Sequence, residues 1–224
     1  MDAQAISISV GEEQVSGLLI RPAGAKALYV FGHGAGAGMG HKTMESNARG
    51  LAERGIGSLR FQFPYMEKGS RRPDPPRIAH AAVRAAAAKA VELARDLPLF
   101  AGGRSFGGRM TSQAQAIEPL PQVRGLAFLG FPLHPAGKPG IERAEHLARI
   151  LVPMLFVSGD RDALAQLDLL NGVADGLGER ATLHLVAHAD HSFNVAKASG
   201  RTSGEAESEA LDAMARWILD GSAR

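Results

Sequence analysis

Cysteine is absent from this chain of 224 residues. That excludes disulfides, thiolate metal sites and cysteine nucleophiles, although it does not identify a compartment. No segment stays apolar over the length that a bilayer requires, and Met1-Asp2-Ala3-Gln4 does not begin a basic region followed by an apolar core. A soluble, cytoplasmic protein without membrane association is therefore expected. A surplus of one charge is also missing: 25 Lys and Arg stand against 23 Asp and Glu, leaving a formal charge of +2. So small a surplus makes no basic face, and no nucleic-acid partner is expected. The nearest approach to a cationic cluster, Lys68 with Arg71, Arg72 and Arg77, lies among prolines. It reads as a solvated loop that could also meet an anionic substrate. No period of roughly 20–50 residues recurs, which excludes a repeat architecture.

What is present suits one domain over 1–224, since α/β domains of this length often run undivided. Residues 4–10 and 15–20 read as a hairpin, with Ile6, Ile8 and Val10 alternating with small or polar neighbours. From Ala27 onward short apolar runs alternate with helical stretches, the pattern of parallel strands joined by crossover helices. Strands are expected near 27–32, 56–62, 98–102, 124–130, 154–158 and 182–186, making eight with the hairpin. Helices are expected near 42–54, 78–96, 107–117, 142–150, 163–175 and 204–220. The alanine-rich stretch from Ile78 to Leu97 belongs to one of them, because alanine is the best helix former and packs closely on a sheet. The prolines between Arg71 and Pro76 require an extended loop. In the last helix Leu211, Met214 and Ile218 form a stripe best explained by core contact.

The chain is organised around Gly103-Arg104-Ser105-Phe106-Gly107, which fills G-x-S-x-G between an apolar run and a helix. A serine nucleophile must stand clear of the backbone on a sharp strand-to-helix turn, and the flanking glycines let that turn close. Phe106 N–H, at the helix start, would then face a substrate oxygen as one half of an oxyanion hole. The serine also needs a base, and the base a carboxylate that fixes its tautomer. A strand ending in Ser158-Gly159-Asp160-Arg161-Asp162 and another followed by His188-Ala189-Asp190-His191-Ser192-Phe193 supply both in the order Ser, Asp, His. Asp162 is the expected acid, with Asp160 a turn-former that caps backbone N–H groups. His191 is the expected base, with His188 the alternative. A zinc site from His184, His188, Asp190 and His191 is disfavoured, because His184 lies within an alternating strand and adjacent residues rarely converge on one ion. No metal and no cofactor are expected.

The loop His33-Gly34-Ala35-Gly36-Ala37-Gly38 admits three readings. It can supply the second oxyanion N–H, from Ala35, with His33 bracing the loop. Gly36 to Thr43 is one residue short of a P-loop, with His41 where glycine belongs. Gly32, Gly34 and Ala37 fit a dinucleotide fingerprint, but Gln62-Phe63 stands where a ribose-binding carboxylate is expected. Arg104 and Arg109 flank the elbow as capping and packing residues.

Several longer stretches carry a resemblance. They are Phe61-Gln62-Phe63-Pro64-Tyr65-Met66-Glu67, Arg72-Pro73-Asp74-Pro75-Pro76, the run Gly103 to Met110, Phe131-Pro132-Leu133-His134-Pro135 with Gly137-Lys138-Pro139, and Asp190-His191-Ser192-Phe193. Together they resemble a small branch of the α/β-hydrolase superfamily. That branch includes bacterial dienelactone-hydrolase-like proteins and a subunit of the non-specific-lethal chromatin complex. The resemblance runs from about Gly24 to the end, with Gln62 standing where relatives carry arginine or asparagine. It implies an α/β-hydrolase fold, mostly parallel, eight-stranded and without a large lid, with Ser105, Asp162 and His191 as its triad. The site should be open, with Phe63, Tyr65, Phe131, Pro132 and Leu133 as an apolar acyl wall and His134 and Lys138 at its mouth. The expected activity is hydrolysis of a small-molecule carboxylic ester or thioester. The alternative is a scaffold protein that keeps the fold without turnover.

Overall fold

Alternate residues of the central strands face two different cores. In β3 (Ala27–Gly32), Leu28 and Val30 pack to one side, while Ala27, Tyr29 and Phe31 pack to the other. The same split recurs in β6 (Val123–Leu129), with Leu126 and Phe128 opposite Ala127 and Leu129, and in β7 (Met154–Gly159). Strands buried on both faces lose the apolar–polar alternation of a half-exposed strand, which is why their sequences read as continuous apolar runs.

The computed structural model describes residues 2–222; the first and the last two positions of the expected 1–224 domain lie outside the described residues. One sheet of eight strands runs in the order β1-β2-β4-β3-β5-β6-β7-β8. Strands β1 (Gln4–Val10) and β2 (Glu13–Ile20) form the antiparallel hairpin, and β2 is also antiparallel to β4 (Ile56–Phe61). From β4 through β3, β5 (Leu99–Arg104), β6 and β7 to β8 (Ala181–Val186), every pairing is parallel. All the strand ends that carry candidate chemistry therefore open on one rim, the carboxyl edge where such sheets place their ligands.

Helices cover both faces. Helix α1 (Lys42–Glu53) and helix α6 (Ser203–Ser222) enclose the core that holds Tyr29, Phe31 and Phe100; Leu211, Met214 and Ile218 of α6 are buried there. The short α2 (Pro64–Glu67) follows β4, and α3 (Pro76–Leu93), α4 (Phe106–Ile117) and α5 (Leu167–Leu177) enclose the other core. Ala79, Ala82, Ala86, Ala87 and Ala90 line the buried face of α3. Proline opens α3 at Pro76, where a missing N–H costs no helical bond.

Three local expectations change. The helix expected over 142–150 is only a tight 3-10 turn, Glu145–Arg149. The helix expected from 163 begins at Leu167, because Asp162 Oδ1 accepts from Leu164 N–H and Ala165 N–H bonds Asp162 C=O, folding this stretch into a turn first. Helix α2 was not anticipated: Pro64 at its first position supports one turn too short to show periodicity. Among the described residues, no helix is long and apolar enough to cross a membrane.

Candidate active site

Ser105 stands between β5 and α4 with φ 51° and ψ −114°. A non-glycine residue there costs on the order of 1–3 kcal/mol and persists only where its surroundings hold it. Its N–H donates to Leu129 C=O at 3.0 Å, which fixes the turn to the neighbouring strand. A side chain at Gly103 or Gly107 would collide with the carbonyl of Gly32 at the end of β3. The two glycines thus let strand, turn and helix approach closely enough to push the serine outward.

The turn after β7 and the loop after β8 are bonded together. Asp160 N–H donates to Val186 C=O at 3.2 Å and Arg161 N–H to Ala189 C=O at 2.9 Å. Beyond Ala189, Asp190 Oδ1 accepts from the N–H groups of Ser192 and Asn194 at 2.8 Å each, making a closed turn with His191 at its tip. His191 Nε2 lies 2.8 Å from Ser105 Oγ, and its Nδ1 lies 2.7 Å from Asp162 Oδ2. The Asp162 side chain is fully buried whereas that of His191 is 23% exposed, so the carboxylate is dry and the imidazole reaches solvent. The structure therefore brings Ser105, His191 and Asp162 into one chain of hydrogen bonds.

The other singled-out histidines and acids lie elsewhere. His188 is exposed in a left-handed turn, and His184 Nε2 faces Glu209 of α6 at 3.1 Å. Asp190 is engaged within its own turn. Asp160 does not cap backbone donors, because its buried Oδ1 has no partner among the described residues. The capping passes to Asp162, whose second oxygen accepts from Leu164 N–H at 2.8 Å. No group of three or more His, Asp or Glu that could hold a metal occurs among the described residues.

The loop after β3 is braced from below. His33 is buried, its Nδ1 lies 2.8 Å from Gly34 C=O, and its Nε2 accepts from Phe63 N–H at 3.1 Å. Accepting that bond requires a neutral ring, and burial pushes its pKa down to about 4. Gly36 N–H donates to the Tyr65 hydroxyl at 3.1 Å, and Met39 N–H to Gln62 Oε1 at 2.8 Å. His41, the misfit of the P-loop reading, caps α1 by accepting from Thr43 N–H. The N–H groups of Ala35 and Phe106 have no acceptor among the described residues.

The expected acyl wall is relocated. A cavity of about 450 Å³ holds Ser105 and His191, and it is walled by Gly34, Ala35, His41, Thr43, Arg104, Leu164 and Asn194 among others. None of Phe63, Tyr65, Phe131, Pro132, Leu133, His134 or Lys138 lines it. Aromatic packing is the reason. Phe63 packs edge-on against His33 and Phe106 at 4.8 and 5.1 Å, and Phe131 lies 5.1 Å from Phe128, so these rings are drawn beneath the rim. Pro132 and Leu133 are buried, and His134, also buried, accepts from Gln166 N–H behind the Asp162 turn. Lys138 is exposed on the loop beyond. Of the actual lining, Gly34, Ala35, His41 and Arg104 are singled out by the sequence in other roles, whereas Leu164 and Asn194 are not, although each stands within three residues of Asp162 or His191.

A mostly parallel sheet with a strained serine on its carboxyl rim, bonded through histidine to a buried aspartate, defines the architecture of α/β hydrolases. The sequence profile of the alpha/beta hydrolase domain matches residues 25–219; the chain belongs to that family. Solved structures agree on the fold. An alpha-beta serine hydrolase homologue from Coxiella burnetii superposes with a TM-score of 0.74 at 19% identity, covering 95% of this chain and 97% of that one. Dienelactone hydrolase from Anabaena variabilis gives 0.74 at 21% identity, over 98% and 95%. A lidless serine hydrolase from Xanthomonas campestris gives 0.72 at 19% identity, over 97% and 95%.

Proposed function

We propose that the protein is a serine hydrolase of carboxylic esters or thioesters. The observation that carries this reading is the continuous relay from Asp162 through His191 to Ser105, with contacts of 2.7 and 2.8 Å. Asp162 holds Nδ1 of His191 as the protonated nitrogen, leaving Nε2 free to accept the Ser105 proton. Ser105 Oγ then attacks the acyl carbon. The tetrahedral oxyanion is held by the N–H groups of Ala35 and Phe106, which have no acceptor among the described residues, and the positive end of α4 adds to its stabilisation. His191 returns the proton to the leaving alcohol or thiol, and water releases the acid from the acyl-enzyme by the reverse use of the same groups.

The scaffold alternative would not require a strained serine within hydrogen-bond reach of an oriented histidine. A fluorophosphonate probe tests the proposal. Labelling at Ser105, abolished in Ser105→Ala and greatly slowed in His191→Ala, is the expected result. Folded wild-type protein that resists the probe would overturn it.

A further inference from the structure

Arg104 directly precedes the nucleophile and forms part of the cavity wall. Its guanidinium lies 5.3 Å from the centre of the Phe193 ring, yet its Nη1 is buried without a partner. No hydrogen bond or ion pair of this side chain exists among the described residues. Leaving buried charged donors unpaired is costly. A residue serving only as packing over Phe193 would not need five donors.

The carboxylates whose fields reach Arg104 are Glu207, Asp190 and Asp162, and each is engaged elsewhere. Glu207 accepts from Asn47 Nδ2, Asp190 from two backbone N–H groups of its turn, and Asp162 from Leu164 N–H while facing His191. They oppose the effect of burial and help keep Arg104 cationic without binding it. No carboxylate lines the cavity, and Arg104 is the one permanently charged side chain among the lining residues.

Resting on the hydrolase reading, we propose that the substrate is an ester or thioester whose acyl chain carries a carboxylate, and that Arg104 binds this carboxylate while Ser105 attacks. The planar guanidinium matches a carboxylate with two parallel hydrogen bonds. Arg104 and Ser105 border the same small cavity of about 450 Å³, so a carboxylate on a short acyl chain can meet the guanidinium while the ester carbonyl meets Ser105 Oγ. This favours short half-esters of dicarboxylic acids. Ser105 Oγ forms a bond to the acyl carbon as the bond to the leaving oxygen or sulfur breaks, and the serine proton passes through His191 to the leaving group. Water then cleaves the acyl-serine bond and releases the dicarboxylic acid.

The test pairs the 4-nitrophenyl half-ester of glutaric acid with 4-nitrophenyl pentanoate. The wild type is expected to favour the anionic ester at least tenfold in kcat/KM. Arg104→Gln should erase that preference mainly through KM, and Arg104→Lys should restore part of it. A wild-type ratio at or below unity, or a ratio shifted less than twofold by Arg104→Gln, overturns the proposal. A second arm needs no turnover: glutarate monophenyl ester is titrated calorimetrically into Ser105→Ala and into Ser105→Ala with Arg104→Gln. At least tenfold weaker binding to the double variant is expected. Equal binding, or tighter binding of inorganic phosphate than of the half-ester by Ser105→Ala, overturns the carboxylate assignment. If fluorophosphonate does not label Ser105 and neither ester turns over, the hydrolase reading fails, while the titration still decides whether Arg104 binds a carboxylate.

Discussion

His33 follows β3 and His191 follows β8, so two loops from distant parts of the chain each bring an imidazole to the same rim. Their surroundings differ. His33 is fully buried, and both ring nitrogens are engaged by backbone groups of Gly34 and Phe63. His191 has a carboxylate on one nitrogen and a hydroxyl on the other, and part of its ring reaches solvent. A proton on Nε2 of His33 would eject the Phe63 N–H and find no counter-charge there. On the proposed mechanism, a proton on Nε2 of His191 faces a site where a leaving group can take it, with Asp162 stabilising the imidazolium. The same side chain is thus a fixed bracket in one loop and a suitable proton carrier in the other, and the partners make the difference.

The sharpest way to break this contrast is to remove the proposed proton carrier. His191→Ala or Ser105→Ala should lower kcat/KM by roughly 10⁴-fold or more, with an unchanged circular dichroism spectrum. Asp162→Asn should cost nearly as much, on the order of 10³–10⁴-fold, because an amide can hold the ring in the wrong tautomer. Steady-state kinetics on an activated ester measures both. Retention of a tenth of the activity in His191→Ala would remove His191 from the mechanism, and the same retention in Asp162→Asn would remove the need for its carboxylate.

The bracket should reveal itself through stability. Its folded pKa is pushed to about 4 by burial, against an ordinary value of 6.5. Between these values the unfolded chain binds a proton that the folded protein refuses, so stability is whole above about pH 6.5 and falls as the pH drops toward 4. The loss attributable to His33 is about 3 kcal/mol. His146 is also held near 4 by burial and then by Arg149 and Arg109, so its protonation adds to the same decline. His33→Gln keeps hydrogen-bonding capacity but cannot titrate. Urea unfolding across this window should show the pH slope flattened by roughly one proton in that variant; an unchanged slope would assign the decline to other groups.

The two loops were not equally legible. The Ser, Asp and His positions stood out because each sits at a strand end inside a local pattern of turn residues, and the structure brings those three side chains together. The positions of the strands and their parallel character were legible in the alternation of apolar runs and helices, but the order that seats β4 between β2 and β3 was not. The acyl wall was misplaced because a phenylalanine in a pocket and one in a core have the same sequence appearance. Phe63 and Tyr65 pack around His33 and Phe106 through pairings that no spacing rule records. Likewise, Arg104 reads as packing until the partners of every nearby carboxylate have been assigned. Such facts depend on which segments pass one another at the rim, and local sequence carries little of that.

Smaller changes sharpen the contrast by separating the rim from the sheet beneath. Gly130 follows β6 with φ +66°, and a Cβ there would lie 3.1 Å from His191 C=O and 3.3 Å from its ring. Gly130→Ala should cost about 1–2 kcal/mol in stability and lower kcat roughly tenfold by shifting the imidazole, since small misplacements are costly at a reacting centre. Tyr29 lies in the core and donates to Ala127 C=O at 2.7 Å. Tyr29→Phe should cost only about 1 kcal/mol, the net worth of one buried hydrogen bond, and kcat/KM should stay within twofold. Thermal unfolding and kinetics on the two variants together give the decisive pattern: activity falls with Gly130→Ala, whereas Tyr29→Phe moves stability alone. If Tyr29→Phe also lowered activity severalfold, the rim would depend on the sheet interior far more than the local bracing of its loops implies.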